Sequence, residues 1–312
     1  MPALSFDTND SPSLRHLFDT LYRRHRLAGK SAASVKNYRI NIVHFSRFLG
    51  HEARLADLSN EAILDAMQWM IDRGKSVVTA NKLRIHLVSL WTFLAKRGVT
   101  TTFPDVQAFR QPERSPVGWS ESQLHRLFAT LQKAPGSICG IPASEWHVCH
   151  HLWLWFTAER LTASMKARVR DLDLDTGWCL IPAEHRKGKV RDLRRRIPGE
   201  VLWRFRLLVA RSPGRELLFP VDCSLSMIFK RYKKLLASAG LPSGRESMYH
   251  RMRRSAVSHF ARLGGCGTSL ADHSNPAVTK RSYLDPTIIG EQQAADLLFL
   301  PIKPQDEPPH AA

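Results

Sequence analysis

Cysteine is scarce in this chain, and so are acidic residues. Five cysteines among 312 residues, Cys139, Cys149, Cys179, Cys223 and Cys266, are odd in number and widely spaced, with no C-x-x-C pair. That pattern supports neither a zinc ribbon nor a disulfide framework, and it fits a reducing, cytoplasmic setting. The opening MPALSFDTND lacks the basic stretch and apolar run of a secretory leader. No apolar run approaches the ~18 residues needed to cross a bilayer, so no membrane partner is expected. No Walker loop, no G-x-G-x-x-G and no H-E-x-x-H occurs, which removes the usual supports for nucleotide hydrolysis and zincin chemistry.

Acid is outnumbered: 46 Lys plus Arg face 28 Asp plus Glu, a formal net charge of +18, while 43% of residues are hydrophobic. The apolar share is enough for at least one full core, and the length suits two domains. The cationic surplus calls for a polyanion, nucleic acid before an anionic membrane. Half of it lies between Arg160 and Arg215, where 15 Lys or Arg meet 6 Asp or Glu.

Hydrophobic spacing predicts four amphipathic helices between residues 13 and 97. Leu14, Leu17, Phe18, Leu21 and Tyr22 mark the first, and Val35, Tyr38, Ile42, Phe45 and Leu49, before Gly50, mark the second. Ser59 can cap a third bearing Ile63, Met67 and Ile71, and Thr79 a fourth bearing Leu83, Leu87, Leu90 and Leu94. Four such helices close one bundle. The proline-bearing TTTFPDVQAFRQPERSPVG that follows has no period and reads as a linker. A helical pattern resumes at Ser120 and runs through HLWLWFTAERL to Leu161. WCLIPAEHR and VRDLRRRIP, separated by Lys187-Gly188-Lys189, read as a basic hairpin, and Val201–Val209, Leu225–Ala239 and Met248–Leu263 as helices. From Pro301 the prolines predict a fraying tail.

One cluster invites a metal reading: His147, Cys149, His150 and His151, with His147 and His151 on one helix face. No further ligand lies nearby in sequence and the stretch is as apolar as a buried helix, so the expectation is buried histidines and no metal. No cofactor is expected either.

A set of positions in fixed order carries more weight. Arg160 lies in TAERLTASMKARVRDLD, Lys187 in the hairpin turn, His250 and Arg253 in HRMRRSAVSHFARLGG, and His273 and Tyr283 in HSNPAVTKRSYLDP. This arrangement resembles the tyrosine recombinase (phage integrase) family from about Ser13 to about Leu300. The resemblance implies a mostly α fold with a small β-sheet. Residues 1–104 would form a helical, SAM-like core-binding bundle and 105–118 a linker, with 119–300 an α+β catalytic domain and 301–312 a disordered tail. It implies a site-specific recombinase acting on double-stranded DNA through a 3′-phosphotyrosyl intermediate, as a homo-oligomer in a tetrameric synapse.

Within that resemblance Tyr283 is the nucleophile and Arg160 and Arg253 clamp the phosphate. His250 is base or hydrogen-bond partner, His273 holds a phosphate oxygen, and Lys187 protonates the leaving oxygen, with Lys189 its competitor. DNA contacts are expected from Lys189, Arg191, Arg194 and Arg196 of the hairpin and from Lys36, Arg39, Lys82 and Arg84 of the bundle. The sequence departs from the family at Ala163, where an acid is common, at Arg254, where a second His is usual, and at Asp272, which replaces Gly. The interval from Gly264 to His273 is short, which predicts a truncated helix there. A type IB topoisomerase uses the same ingredients, and a decayed, non-catalytic DNA-binding protein would share the fold; the N-terminal bundle favours a recombinase. The apolar TIIGEQQAADLLFLP, with Ile288, Ile289, Leu297, Leu298 and Phe299, must be covered, either by its own domain or by a neighbouring subunit.

Overall fold

A computed structural model describes residues 11–186, 188 and 191–290. The chain divides between Glu113 and Arg114 into two compact units. In the first, α1 (Leu14–Leu17) passes through a π-helical turn (Phe18–Tyr22) into α2 (Arg23–Arg26), followed by α3 (Ala32–Leu49), α4 (Asn60–Asp72) and α5 (Val77–Ala95). Leu14, Phe18, Phe45, Ile63, Met67, Leu83, Leu87 and Leu90 are fully buried between them, on the faces that the spacing predicted. Each such side chain contributes about 1.5–3 kcal/mol of burial. Gly50 ends α3 in the left-handed conformation, and Ser59 caps α4 by accepting from the Ala62 N–H. The cap of α5 is Ser76, three residues earlier than Thr79, because the Ser76 hydroxyl receives the Thr79 N–H itself. Part of the proline-bearing stretch is tied to this bundle: Asn81 brackets the Phe109 backbone with two hydrogen bonds, Arg84 donates to the Val106 carbonyl, and Val106 is buried.

The second unit opens with α6 (Glu121–Leu131), capped by the reciprocal Ser120–Gln123 pair, then a two-residue ladder of β1 (Ser137–Ile138) and β2 (Ile141–Pro142). Helix α7 (Ala143–Thr157) stops four residues before Leu161, because Ala158 turns left-handed at φ 48°. After the short α8 (Leu161–Ser164) comes the hairpin, β3 (Trp178–Ile181) paired antiparallel with β4 (Leu193–Arg196), Cys179 opposite Arg195. Helices α9 (Gly199–Ala210), α10 (Leu225–Ser238) and α11 (Tyr249–Arg262) precede three short ones: α12 (Gly267–Ala271), α13 (Pro276–Tyr283) and α14 (Pro286–Ile289). Among the described residues the fold is therefore mostly helical with two small antiparallel sheets, one more than the sequence pattern marked, and α12 is as short as the interval before His273 implied. Trp119, Trp146, Trp153, Phe205, Phe219 and Tyr232 fill the core around α7. Among the described residues, no helix is long and apolar enough to cross a membrane, and no cluster of His, Cys, Asp or Glu could hold a metal ion.

Candidate active site

Helix α11 organises the site by presenting two faces. Along one, Arg251, Ser255 and Ser258 hold the domain's ends. Arg251 donates to the Gly118 carbonyl and lies 3.6 Å from the centre of the Trp119 ring, and the Ser255 hydroxyl accepts from the Trp119 N–H. Ser258 donates to the Tyr283 carbonyl at 2.9 Å and accepts from the Asp285 N–H at 2.9 Å, so the backbone on both sides of Leu284 is fixed to this helix. Asp285 in turn accepts from the Gly118 N–H. Ile288 is buried beside Gly118, where even a Cβ would stand 2.6 Å from the isoleucine side chain. Ile288, the first of the apolar residues expected to need cover, is thus covered within its own chain; Leu297, Leu298 and Phe299 lie outside the described residues.

The other face carries His250 and Arg253. Arg253, 1% exposed, donates to the carbonyls of Ala158 and Ala271, and its guanidinium lies 5.2 Å from the centre of the Tyr283 ring. Burial, and next the Arg160 charge, lower its pKa from the ordinary guanidinium value. His273 comes within 3.4 Å of the same guanidinium through Nε2 and bonds Thr279 Oγ1 through Nδ1 at 2.9 Å. The His273 ring is centred 4.5 Å from that of Tyr283, and the His250 ring 5.2 Å. His250 has an exposed edge, yet its pKa is lowered to about 4 by the protein packed on its other side and then by Arg254, Arg253, Arg160 and His273. At neutral pH it is therefore an uncharged acceptor.

Arg160, at the start of α8, is half-buried and shares with His250 and Arg253 a cleft of about 700 Å³. Leu161, Leu225, Phe229, Met248 and Tyr249 supply its apolar wall, and Lys230, Lys233 and Arg245 its cationic rim. Five of the six residues expected to act together, Arg160, His250, Arg253, His273 and Tyr283, thus gather in one place. Lys187 and its competitor Lys189 lie outside the described residues. Among the other expected DNA contacts, Lys36, Lys82 and Arg194 are exposed, and Arg196 is exposed with its Nε on the Thr176 carbonyl. Arg191 is exposed and reaches Asp272 at 3.2 Å, whereas Arg39 is paired with Asp19 at 2.7 Å and Arg84 with Val106.

Two residues that the sequence reading passed over, Glu159 and Arg186, join Asp272, noted there only as a departure from Gly. Glu159, Arg186 and Asp272 are buried and joined: Arg186 Nε meets Glu159 Oε1 at 2.7 Å and Arg186 Nη2 meets Asp272 Oδ2 at 2.9 Å. Nothing in their spacing marks a pairing across 86 residues. The histidines of α7 are buried, as their apolar surroundings implied: His150 bonds Ser164, and His151 bonds the His147 carbonyl.

The same arrangement of helices and hairpin is found in solved integrases. A lambda integrase tetramer bound to a Holliday junction superposes with a TM-score of 0.69 at 16% identity, over 91% of this chain and 80% of that one. The Tn1549 transposon integrase in complex with circular intermediate DNA gives 0.69 at 15% identity, over 92% and 98%. The chain has the tyrosine-recombinase fold. A lambda integrase dimer on a core site gives 0.64 at 16% identity, over 88% of this chain and 78% of that one. No family model and no curated protein sequence matches the chain. The likeness to this recombinase fold is one of structure, at 15–16% identity.

Proposed function

We propose that the protein is a site-specific DNA recombinase that cleaves and rejoins duplex DNA through a phosphotyrosyl intermediate, working as a homo-oligomer on its DNA. The observation that carries this reading is the position of Tyr283. A buried tyrosine is held through its own carbonyl and the Asp285 N–H against a helix that also presents an arginine and a histidine to its ring. The ring of a second histidine, His273, is centred 4.5 Å from it.

The chemistry follows from those groups. The Tyr283 oxygen attacks the scissile phosphorus, and the bond to the 5′-oxygen breaks as the phosphotyrosyl bond forms. Arg160 and Arg253 carry positive charge at any working pH and complement the charge that develops on the non-bridging oxygens. His273 donates to or orients one of those oxygens. Neutral His250 receives the phenolic proton or hydrogen bond. The resemblance gives the proton for the leaving oxygen to Lys187. The ester preserves the phosphate bond energy, so rejoining is the reverse step with a new 5′-hydroxyl. A relaxing topoisomerase would share this chemistry, and the helical N-terminal unit supports the recombinase reading over it.

The test is incubation with nicked suicide duplexes cut from the DNA flanking the gene. A covalent protein–DNA band is expected from the wild type and none from Tyr283→Phe, whose DNA affinity should stay within about threefold because the phenolic oxygen adds little to ground-state binding. Adducts that persist in Tyr283→Phe would assign the nucleophile elsewhere.

A further inference from the structure

We infer that Arg186 is a positioning residue of this site: its buried guanidinium, shared between Glu159 and Asp272, fixes the two turns from which Arg160 and His273 reach the substrate phosphate. The inference rests on the recombinase reading above and deepens it.

The two turns are alike. Ala158 and Asp272 both stand at φ 48°, the left-handed region that costs a non-glycine residue backbone energy, and each is followed at once by the segment carrying a phosphate-binding candidate. Two buried arginines bridge the same pair of turns. Arg253 joins their backbones, through the carbonyls of Ala158 and Ala271. Arg186 joins their side chains, through the carboxylates of Glu159 and Asp272, which directly precede Arg160 and His273 in sequence. Glu159 also accepts from the Arg160 N–H at 3.2 Å, so the carboxylate gripped by Arg186 is in contact with the residue it would position. Arg195 adds a third tie from the hairpin, to the carbonyls of Ser269 and Leu270 just before the second turn.

Charge explains why a fork is needed here. Two carboxylates buried beside a phosphate site would repel the substrate and would be costly to keep ionised. One guanidinium offering Nε to the first and Nη2 to the second engages both and spans the distance between them, and Arg191, 3.2 Å from Asp272, supplies a second positive charge. A lysine offers its three donors from one nitrogen and does not reproduce the separated Nε and Nη2 contacts. This arrangement also accounts for Asp272, the departure from the family's glycine. Its carboxylate is the second half of the bridge, and an aspartate tolerates the left-handed backbone better than most side chains.

The experiment uses full-length protein and the nicked suicide duplex on which the wild type forms its covalent complex. Asp272→Gly is the principal variant because glycine relieves the backbone and removes only the carboxylate; Arg186→Lys and Arg186→Met accompany it. Single-turnover cleavage at saturating protein should fall at least about tenfold in Asp272→Gly and in both Arg186 variants, with half-site affinity within about threefold, since a displacement of about 1 Å costs up to ~10²-fold. The Arg186→Met, Asp272→Gly double variant should cleave no more slowly than the worse single variant, because both remove one contact. A 5′-phosphorothiolate substrate, whose sulfur leaves without a proton, should restore none of the loss.

Cleavage within threefold of wild type in folded Asp272→Gly, additive losses in the double variant, or rescue by the phosphorothiolate would each overturn the assignment. If Arg186→Met fails to fold, Asp272→Gly compared with Glu159→Gln gives the same test, and equal wild-type rates in both overturn it. Failure of the wild type itself to form any adduct would instead remove the recombinase reading.

Discussion

Arg253 is committed before any substrate arrives. Its donors already hold two backbone carbonyls, and its face lies beside Tyr283, so the side chain is at once part of the core and part of the site. Arg160 lines the open cleft and is half-buried. The two should therefore separate on substitution to alanine. Both should lose cleavage by about 10²–10³, the range for removing a charge that stabilises a transition state. Arg253→Ala should also lose about 2 kcal/mol of unfolding free energy in urea, because two buried carbonyls lose their donor, while Arg160→Ala should keep its midpoint. An Arg253→Ala chain of full stability would mean that its hydrogen bonds are replaced by water. Resemblance to the tyrosine recombinase family singled out Arg160, His250, Arg253, His273 and Tyr283, because each sits in a local box that can be read without the fold. Glu159, Arg186 and Asp272 were not legible as a unit. Their partnership depends on how the hairpin folds against α12, and a single Asp or Glu in a sequence carries no sign of what it faces.

At the scale of elements, helix α7 holds a second consequence of burial. His147, His150 and His151 are within 2% of full burial, and loss of water lowers their pKa values to about 3 for His147, about 4 for His151 and well below the ordinary value for His150. The folded chain keeps all three neutral, while the unfolded chain protonates them near pH 6.5. Below that pH the unfolded state binds more protons, so stability falls as pH falls, from about 6.5 down to the folded-state values. His44, His86 and His250, lowered as well, act in the same direction. By pH 5 the loss should be about 2 kcal/mol for each fully shifted histidine. Urea midpoints measured between pH 7 and pH 5 should drop accordingly, and His147→Gln should flatten that dependence whatever it does to the midpoint at pH 7. A midpoint constant over this window would mean that the ring nitrogens bind protons in the folded state. The amphipathic helices of both units were legible because their buried faces repeat at helical spacing. The β1–β2 ladder was not, since two residues per strand give no period to read. The end of α7 was placed four residues late because nothing in an apolar-aromatic run announces a left-handed alanine.

For the whole molecule the decisive quantity is charge. The net +18 was plain from composition, but composition does not say which cations stay available to a partner. Several do not: Arg186, Arg253 and Arg251 are buried and engaged, and Arg39 is paired with Asp19. What remains open is distributed over both units. The first has a cationic concavity of about 1000 Å³ lined by Arg23, Arg24, Lys30 and Lys36, and the second has Arg194 and Arg196 on the hairpin and Lys230, Lys233 and Arg245 at the cleft. If these groups follow a DNA backbone, each phosphate neutralised releases counterions, and log affinity falls with log salt at about 0.9 per phosphate. Contacts to about six phosphates would cost roughly a thousandfold in affinity between 50 and 200 mM salt. Half-site binding by the full chain, measured across that range, should show a slope steeper than about −4. Replacing Arg23 and Arg24 together by alanine should reduce the slope by about 1–2 if that concavity follows the backbone, and replacing Arg194 and Arg196 should do so for the hairpin. A slope near −2 in the wild type would mean that fewer than about three phosphates are met, too few for DNA contacts on both units.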